Sequence, residues 1–188
     1  MLGEALSFLL DALVQPYAAV LLFRFHAVWL RAPMRNPAGE FVMAITDFVV
    51  LRARRFLPSI WGLDSATMLL AFVIEFIYLG AILWAQGYAY DSFPLLALLA
   101  WTAVKLLKLS LYLLMATLIA EALLSWVNPH TPLAPLLAAV NRPFVQPLRN
   151  RIPPVGNVDL SVLVLLLVCQ FMLIIPIGAL ERLVLELL

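Results

Sequence analysis

Four long apolar stretches constrain this chain more than any other feature of its sequence. Residues 160–180 contain no charged side chain, and residues 65–86 contain a single one, Glu75. Two further apolar stretches lie at residues 5–30 and 93–127. Because each helical residue adds about 1.5 Å of rise, about 20 residues cross a hydrocarbon core of about 30 Å. We therefore predict an all-α integral membrane protein with four transmembrane helices, in one domain that covers all 188 residues.

The composition excludes several classes of protein. Apolar residues make up 65% of the chain and charged residues 12%, whereas an ordinary soluble domain has about 45–50% and about 25%. This balance rules out a soluble enzyme, and a net charge of +1 gives no attraction for nucleic acid. His26, His130 and Cys169 are not spaced as a metal or haem site requires. We expect a membrane protein without a cofactor, a metal or a direct nucleic-acid partner.

The third stretch, residues 93–127, is too long for one perpendicular crossing and short for two. It contains two lysines, Lys105 and Lys108, and we divide it there. Residues 109–127 are then predicted to span the membrane, and residues 93–104 to form an interfacial helix. The alternative is one long, tilted helix that projects from the membrane.

The arginines predict the orientation. Most of them lie in two loops, residues 31–63 and 128–159, which two spans separate and which therefore lie on the same side. The arginines of these loops are Arg31, Arg35, Arg52, Arg54, Arg55, Arg142, Arg149 and Arg151. The positive-inside rule places both loops in the cytoplasm and both termini outside it, in a bacterial inner membrane. Glu4 and Asp11 stand where a signal peptide would be positive, so we expect the first span to be retained.

The two basic loops resemble each other when they are aligned at a shift of 95 residues, which places residues 49–64 over residues 144–159. Charged residues are scarce in this chain, so the repetition of arginine, proline and aspartate in the same order argues for an internal repeat. The identical pairs are Val50 and Val145, Arg54 and Arg149, Pro58 and Pro153, and Asp64 and Asp159. We assign repeat 1 to residues 5–86 and repeat 2 to residues 93–188, as two parallel units related by a pseudo-two-fold axis along the membrane normal.

A family resemblance lies in the second loop. Residues 141–161 read NRPFVQPLRNRIPPVGNVDLS, which resembles the signature of the YggT family. The first copy departs from it, with Phe48 in place of Pro143 and Arg52 in place of Pro147. The resemblance implies a small integral membrane protein whose longer bacterial members carry the unit twice. It also implies a role in membrane-protein assembly, in division-site or nucleoid organisation or in osmotic-stress tolerance, and no established catalytic activity.

The loops themselves suggest contacts at the membrane surface. Residues 37–57 have apolar side chains near helical spacing, which predicts an amphipathic helix on the inner leaflet with its arginines toward lipid phosphates. Prolines in the matching region, residues 132–148, favour a broken interfacial or re-entrant segment. Ordinary positive-inside anchoring and a dedicated lipid or partner site both remain open. The candidate residues are Arg52, Arg54, Arg55, Pro58, Gly62, Arg142, Arg149, Arg151, Pro153, Pro154 and Gly156.

Two aspartates, Asp64 and Asp159, each stand just before an apolar span and close to a serine. An aspartate in this position accepts hydrogen bonds from the first free N–H groups of a helix and complements the helix dipole. We therefore interpret both residues as helix N-caps. Ion coordination is the alternative.

Polar side chains inside the predicted spans are costly and therefore informative, and we single out four of them. Glu75 lies near mid-depth and Gln170 occupies the repeat-equivalent position. These two form either an interhelical hydrogen bond or a proton- or cation-responsive site. Arg24 and Glu121 each precede a tryptophan by five residues. They form either an ion pair with each other or separate contacts with the interface.

The sequence contains no nucleophile elbow and no phosphate-binding loop, so we expect a protein that is not an enzyme. Two functions remain open. The favoured one is a non-enzymatic scaffold or assembly factor whose basic loops contact lipid head groups, expected to be anionic, or partner membrane proteins. The alternative is an ion channel or transporter, or its auxiliary subunit, that uses Glu75 and Gln170. Assembly into a homo-oligomer is left open.

Overall fold

Seven α-helices and one π-helical turn make up the described part of the chain. The computed structural model describes residues 2–59, 62–85, 87, 94–152 and 159–187, with side chains from residue 5 onward. The elements are α1 (Leu2–Trp29), α2 (Pro37–Ala53), α3 (Ser65–Ala85), α4 (Leu95–Val127), α5 (Ala134–Arg149), α6 (Leu160–Met172), the π-helical turn (Leu173–Ile177) and α7 (Gly178–Leu185). An order of long helix, shorter helix and long helix thus occurs twice.

Four helical segments of the described residues are long and apolar enough to cross a membrane. They are Ala5–Trp29, Ser65–Ala85, Leu95–Val127 and Leu160–Leu185. The last continues from α6 through the π-helical turn into α7. Pro176 lies in that turn, and because proline has no N–H, it cannot make the regular helical hydrogen bond there. The predicted all-α class with four membrane-spanning helices is confirmed.

The third span is one continuous helix, so the division at Lys105 and Lys108 is wrong. The tilt and projection of the long-helix alternative stay predictions. With 33 residues, α4 is about 50 Å long. No proline or glycine interrupts it, and both lysines have partners that lower the cost of their position. Lys105 Nζ lies 5.9 Å from the centre of the Trp101 ring. Lys108 Nζ lies 2.6 Å from a carboxylate oxygen of Glu181 in α7.

The long helix α4 lies at the centre of the fold and packs against α1, α3, α5, α6 and α7. Leu106 of α4 joins a buried cluster with Leu21 of α1 and Ala71 of α3. Further along α4, Leu118 packs with Val145 of α5 and Leu165 of α6. The helix therefore holds both halves of the chain together.

Helix α5 is continuous from Ala134 to Arg149, so the predicted broken segment at 132–148 is wrong. Pro135 lies in the first turn, where a backbone N–H has no helical acceptor. Pro143 and Pro147 lie on the exposed side of α5, so the carbonyl groups that they leave unbonded face outward. The opposite side packs against α1, α4 and α6. The buried apolar residues of this side are Leu136, Leu137, Val140 and Val145.

Helix α2 covers most of the first predicted loop helix, although it ends at Ala53 rather than near residue 57. Asn36 caps its N-terminus by accepting a hydrogen bond of 3.0 Å from the N–H of Gly39. A Cβ at Gly39 would overlap the carbonyl of Met34, so only glycine fits this entry. Val50 packs inward, whereas Phe41 and Phe48 are exposed, and their placement in the inner leaflet stays a prediction.

Candidate functional site

An arginine–aspartate pair ties the end of α2 to the start of α3. Arg54 donates two hydrogen bonds to Asp64, from Nε at 3.2 Å and from Nη2 at 2.5 Å. The hydroxyl of Thr67 donates to Asp64 at 2.5 Å, and the N–H of Thr67 lies 3.4 Å from the other carboxylate oxygen. Asp64 is 3% exposed. One buried carboxylate therefore holds both the loop arginine and the first turn of the span.

The same pair recurs at the end of α5 and the start of α6. Arg149 Nε donates to Asp159 at 2.5 Å, and the N–H of Ser161 donates to the other carboxylate oxygen at 2.9 Å. Asp159 is the N-cap residue of α6. The side chain of Asp159 is 35% exposed, against 4% for that of Asp64. The two halves thus share one contact, and the first copy is the more buried.

The ion pairs set the ionisation of both aspartates. Burial raises the pKa of Asp64, but the hydrogen bonds from Arg54 and Thr67 together outweigh it, so that pKa lies below 3.8. Burial likewise raises the pKa of Asp159, and the hydrogen bonds from Arg149 and Ser161 lower it below 3.8. The hydrogen bond to Asp64 raises the pKa of Arg54. Both pairs are therefore fully charged near neutral pH.

The sequence pattern predicts that Arg54 and Arg149 face lipid phosphates or partners, and it does not by itself predict these ion pairs. Each arginine instead uses its guanidinium on an aspartate ten residues further along the chain. The signal was present, because the repeat alignment preserves both residues of each pair at the same separation. Complementary charges kept at a fixed separation in two copies are typical of a direct contact.

The other candidate loop residues that the structure describes are exposed on the surface of the fold. Pro58 is exposed, and Gly62 is exposed with φ of +80°, a conformation that favours glycine. Pro153, Pro154 and Gly156 lie outside the described residues. The exposed candidate arginines without a carboxylate partner among the described residues are Arg52, Arg55, Arg142 and Arg151.

The buried arginine of α1 pairs with α2. Arg24 is 4% exposed, and its Nη1 atom lies 2.5 Å from the hydroxyl of Thr46 and 2.7 Å from a carboxylate oxygen of Asp47. Thr46 also donates to the carbonyl of Val42 at 2.5 Å. This contact fixes α2 against the first span.

The equivalent place in the second half carries the opposite charge. Glu121 of α4 accepts a hydrogen bond of 2.6 Å from the amide of Asn141 in α5, and Asn141 also contacts the hydroxyl of Thr117 at 2.7 Å. Of the two alternatives for Arg24 and Glu121, the ion pair therefore does not form, and each side chain has a separate partner. Arg24 contacts α2 and Glu121 contacts α5, because in each half the short helix packs beside the span that carries the side chain.

The intramembrane carboxyl of Glu75 has a partner in α1. The amide of Gln15 donates to its two oxygens at 3.1 and 3.2 Å, and Glu75 is 1% exposed. Gln170 is exposed, so the hydrogen bond considered between Glu75 and Gln170 does not form. Nearby, Tyr78 of α3 donates to Asp11 of α1. Polar contacts thus join α1 to α3, which pack closely along their length.

These observations define a class of multi-pass, all-α membrane protein. In each half of the chain, a short helix follows one span, and an arginine–aspartate pair joins this helix to the start of the next span. The family model described as CCB3/YggT matches residues 3–85 and residues 100–180. The chain belongs to the CCB3/YggT family, as the resemblance of the second loop implied.

Several relatives are similar over most of their length. A protein of Vibrio alginolyticus is 33% identical over 173 residues, which cover 89% of this chain and 91% of the relative. The protein YggT of Escherichia coli is 30% identical over 169 residues, covering 87% and 85%. A protein of Pseudomonas aeruginosa is 30% identical over 162 residues, covering 85% and 82%. All three are named as uncharacterized, and no solved structure matches the chain.

Proposed function

We propose that this protein is a non-enzymatic scaffold or assembly factor of the bacterial inner membrane, in which α2 and α5 present arginines to partner membrane proteins at the cytoplasmic surface. The single observation that carries the proposal is the arginine–aspartate pair that occurs in both halves. Each pair fixes a loop helix to the start of the following span. A surface held in this way binds a partner with little loss of conformational freedom.

The charge and shape of the first loop helix support a protein partner. Its exposed side combines arginines with aromatic side chains, which are the residue types enriched at protein interfaces. Phe48 is 58% exposed and Phe56 is 84% exposed, and Arg52 and Arg55 lie close to them in the chain. The family resemblance adds osmotic-stress tolerance as a cellular process in which such assembly would matter.

The proposed orientation is tested by cysteine accessibility. The native Cys169 is buried, so Cys169→Ala gives a background without reactive thiols. Ser59→Cys and Asn150→Cys introduce thiols at exposed positions of the two loops, and Glu186→Cys introduces one beyond α7. A membrane-impermeant maleimide applied to spheroplasts is expected to label position 186 at once, and the two loop positions only after the membrane is opened. Labelling of the two loops from opposite faces would contradict the proposal.

Partner binding is tested by site-specific photo-crosslinking in native membranes. A photo-reactive amino acid at Phe56 is expected to capture one or a few defined membrane proteins, identified by mass spectrometry. Combining Arg52→Gln with Arg55→Gln removes two exposed loop charges and is expected to abolish these crosslinks. Arg182→Gln removes an exposed charge at the other end of a span and is the control. Crosslinks that persist unchanged in the loop variant, at equal membrane levels, would refute the proposal.

A further inference from the structure

An open groove lies between the end of α1 and the proline side of α5. Its volume is about 820 Å³, and Leu30, the residue directly after α1, forms part of its wall. Arg142, Gln146 and Asn150 lie along one row of the α5 face, four residues apart, and Arg151 lies beside them. Among the described residues, the groove therefore combines Leu30 of the first half of the chain with residues of the second half.

The groove offers both hydrogen-bond donors and acceptors. Arg142 and Arg151 make no ion pair within the described residues, and guanidinium groups bind phosphate oxygens in a fork geometry. Pro143 and Pro147 have no N–H, so the backbone carbonyls of Ala139 and Pro143 lack their helical donor. Such carbonyls accept hydrogen bonds from hydroxyl groups. A phosphodiester with a hydroxyl-bearing head group matches both features.

A second cavity lies beside the groove and shares one wall residue with it. It has a volume of about 250 Å³ and lies between α1, α4 and α5. Phe23, Leu111, Leu114 and Phe144 contribute to its largely apolar wall. Leu30 lines both this cavity and the groove. A polar, cationic groove next to an apolar cavity fits a molecule that carries a phosphate at one end and a hydrocarbon chain at the other.

The wall formed by α1 is held in a defined position. The helix ends with a hydrogen bond of 2.8 Å from the N–H of Ala32 to the carbonyl of Ala27, and one of 3.1 Å from the N–H of Arg31 to that of Val28. This is a Schellman ending, in which Arg31 has φ of +52° where glycine is usual. Ala27 and Ala32 pack in one cluster with Leu136 of α5. The two walls of the groove are thus fixed relative to each other.

We propose that this groove binds the phosphodiester head group of an anionic phospholipid, with part of one acyl chain in the cavity behind Leu30. A single lipid would then join the two halves of the chain at the cytoplasmic side. The inference deepens the proposed function and rests on its cytoplasmic placement of α5. Free phosphate lacks the hydrocarbon chain that would fill the apolar cavity. A protein segment does not combine one phosphate with one hydrocarbon chain, which is the combination that a cationic groove beside an apolar cavity favours.

The test is native mass spectrometry of the purified full-length protein in detergent with added lipid. Phosphatidylglycerol is compared with phosphatidylcholine of the same acyl chains, whose head group has no hydroxyl donor and no net charge. Inorganic phosphate is the third probe, since it carries the charge without the chain. We expect one molecule of phosphatidylglycerol to be retained per protein, little phosphatidylcholine, and no competition by inorganic phosphate at equal concentration.

A matched pair of variants separates a site from general attraction. Arg142→Gln with Arg151→Gln removes two exposed arginines from the groove, and Arg52→Gln with Arg55→Gln removes two exposed arginines elsewhere. General attraction to anionic lipid falls equally in both. We expect retention of phosphatidylglycerol to fall about tenfold or more in the groove variant alone, because two charge-assisted hydrogen bonds are lost. Melting temperatures in detergent check that both variants fold.

The results of these experiments distinguish a specific lipid site from binding of free phosphate and from general attraction to anionic lipid. Equal losses in the two double variants, equal retention of both lipids, or displacement of phosphatidylglycerol by inorganic phosphate would each overturn the inference. In a variant whose only tryptophan is Trp29, which lines the cavity, a brominated acyl chain that fails to quench the fluorescence would overturn the placement of the chain. If lipid selectivity is absent while the crosslinks at Phe56 persist, only this inference fails and the proposed scaffold function stands.

Discussion

Replacing the two clasping aspartates separately should give unequal losses of stability, although the repeat makes them equivalent in sequence. In Asp64→Ala, the buried carboxylate that receives hydrogen bonds from Arg54 and Thr67 is lost. Losing a helix cap costs about 1 kcal/mol, and losing a hydrogen bond to a charged group costs about 1.5–3 kcal/mol. Because the Asp64 side chain is 4% exposed, we expect nearly the whole sum, about 2.5–4 kcal/mol.

The second aspartate should cost less. In Asp159→Ala, the contacts with Arg149 and Ser161 are lost, but the side chain is 35% exposed, so water replaces part of them. Exposed ion pairs contribute about 0–1 kcal/mol, and the cap adds about 1 kcal/mol. We expect a total of about 1–2 kcal/mol. The difference between the two variants is therefore about 2 kcal/mol.

Reversible unfolding of the detergent-solubilised protein by sodium dodecyl sulfate measures these losses, with the fluorescence of the five tryptophans as the signal. A double-mutant cycle of Arg54→Ala with Asp64→Ala isolates the ion pair from the cap. We expect the coupling in this cycle to exceed that of Arg149→Ala with Asp159→Ala. Equal losses in both halves, or a coupling near zero for the first pair, would refute the argument from burial.

Three further predictions concern other groups. The loss of stability in Asp64→Asn should be constant near neutral pH and shrink as the pH falls below 3.8. The folded pKa of Asp64 lies below that value, and protonation removes the advantage of the carboxylate. Unfolding of both proteins at several pH values measures this loss, and a loss that stays constant would contradict the prediction. Glu121→Ala and Asn141→Ala should be non-additive in a thermal-melt cycle, since their side chains are 2.6 Å apart. Glu75→Leu should cost about 1 kcal/mol more than Glu75→Gln, because it leaves the amide of Gln15 without its partner in the membrane.

Most of the fold could be predicted because crossing a membrane is a local, additive property of a sequence. Residues 65–86 and 160–180 contain enough apolar side chains in a row to span the hydrocarbon core, whatever lies beside them. The error at α4 came from treating Lys105 and Lys108 as a boundary. A lysine with a partner can lie within a span. The partner of Lys105 is the ring of Trp101, one turn away in the same helix, and the sequence spacing alone indicates this contact.

The prolines of α5 misled for a related reason. Pro143 and Pro147 would break an isolated helix, because each removes a hydrogen bond. In the folded chain they share the side that faces outward, and the buried side supplies the packing that keeps the helix continuous. The sequence shows that prolines four residues apart share a face, but not that this face is the open one.

The sequence by itself determined the class of the protein, the number of spans and the doubled loop, because these depend on composition, length and order along the chain. Only the tertiary structure decided which polar groups meet. Arg24 pairs with Asp47 and Glu75 with Gln15, although charge and depth allowed other partners. A polar group in a medium without water takes the partner that helix packing brings within hydrogen-bond distance, and that choice depends on how whole helices fit together.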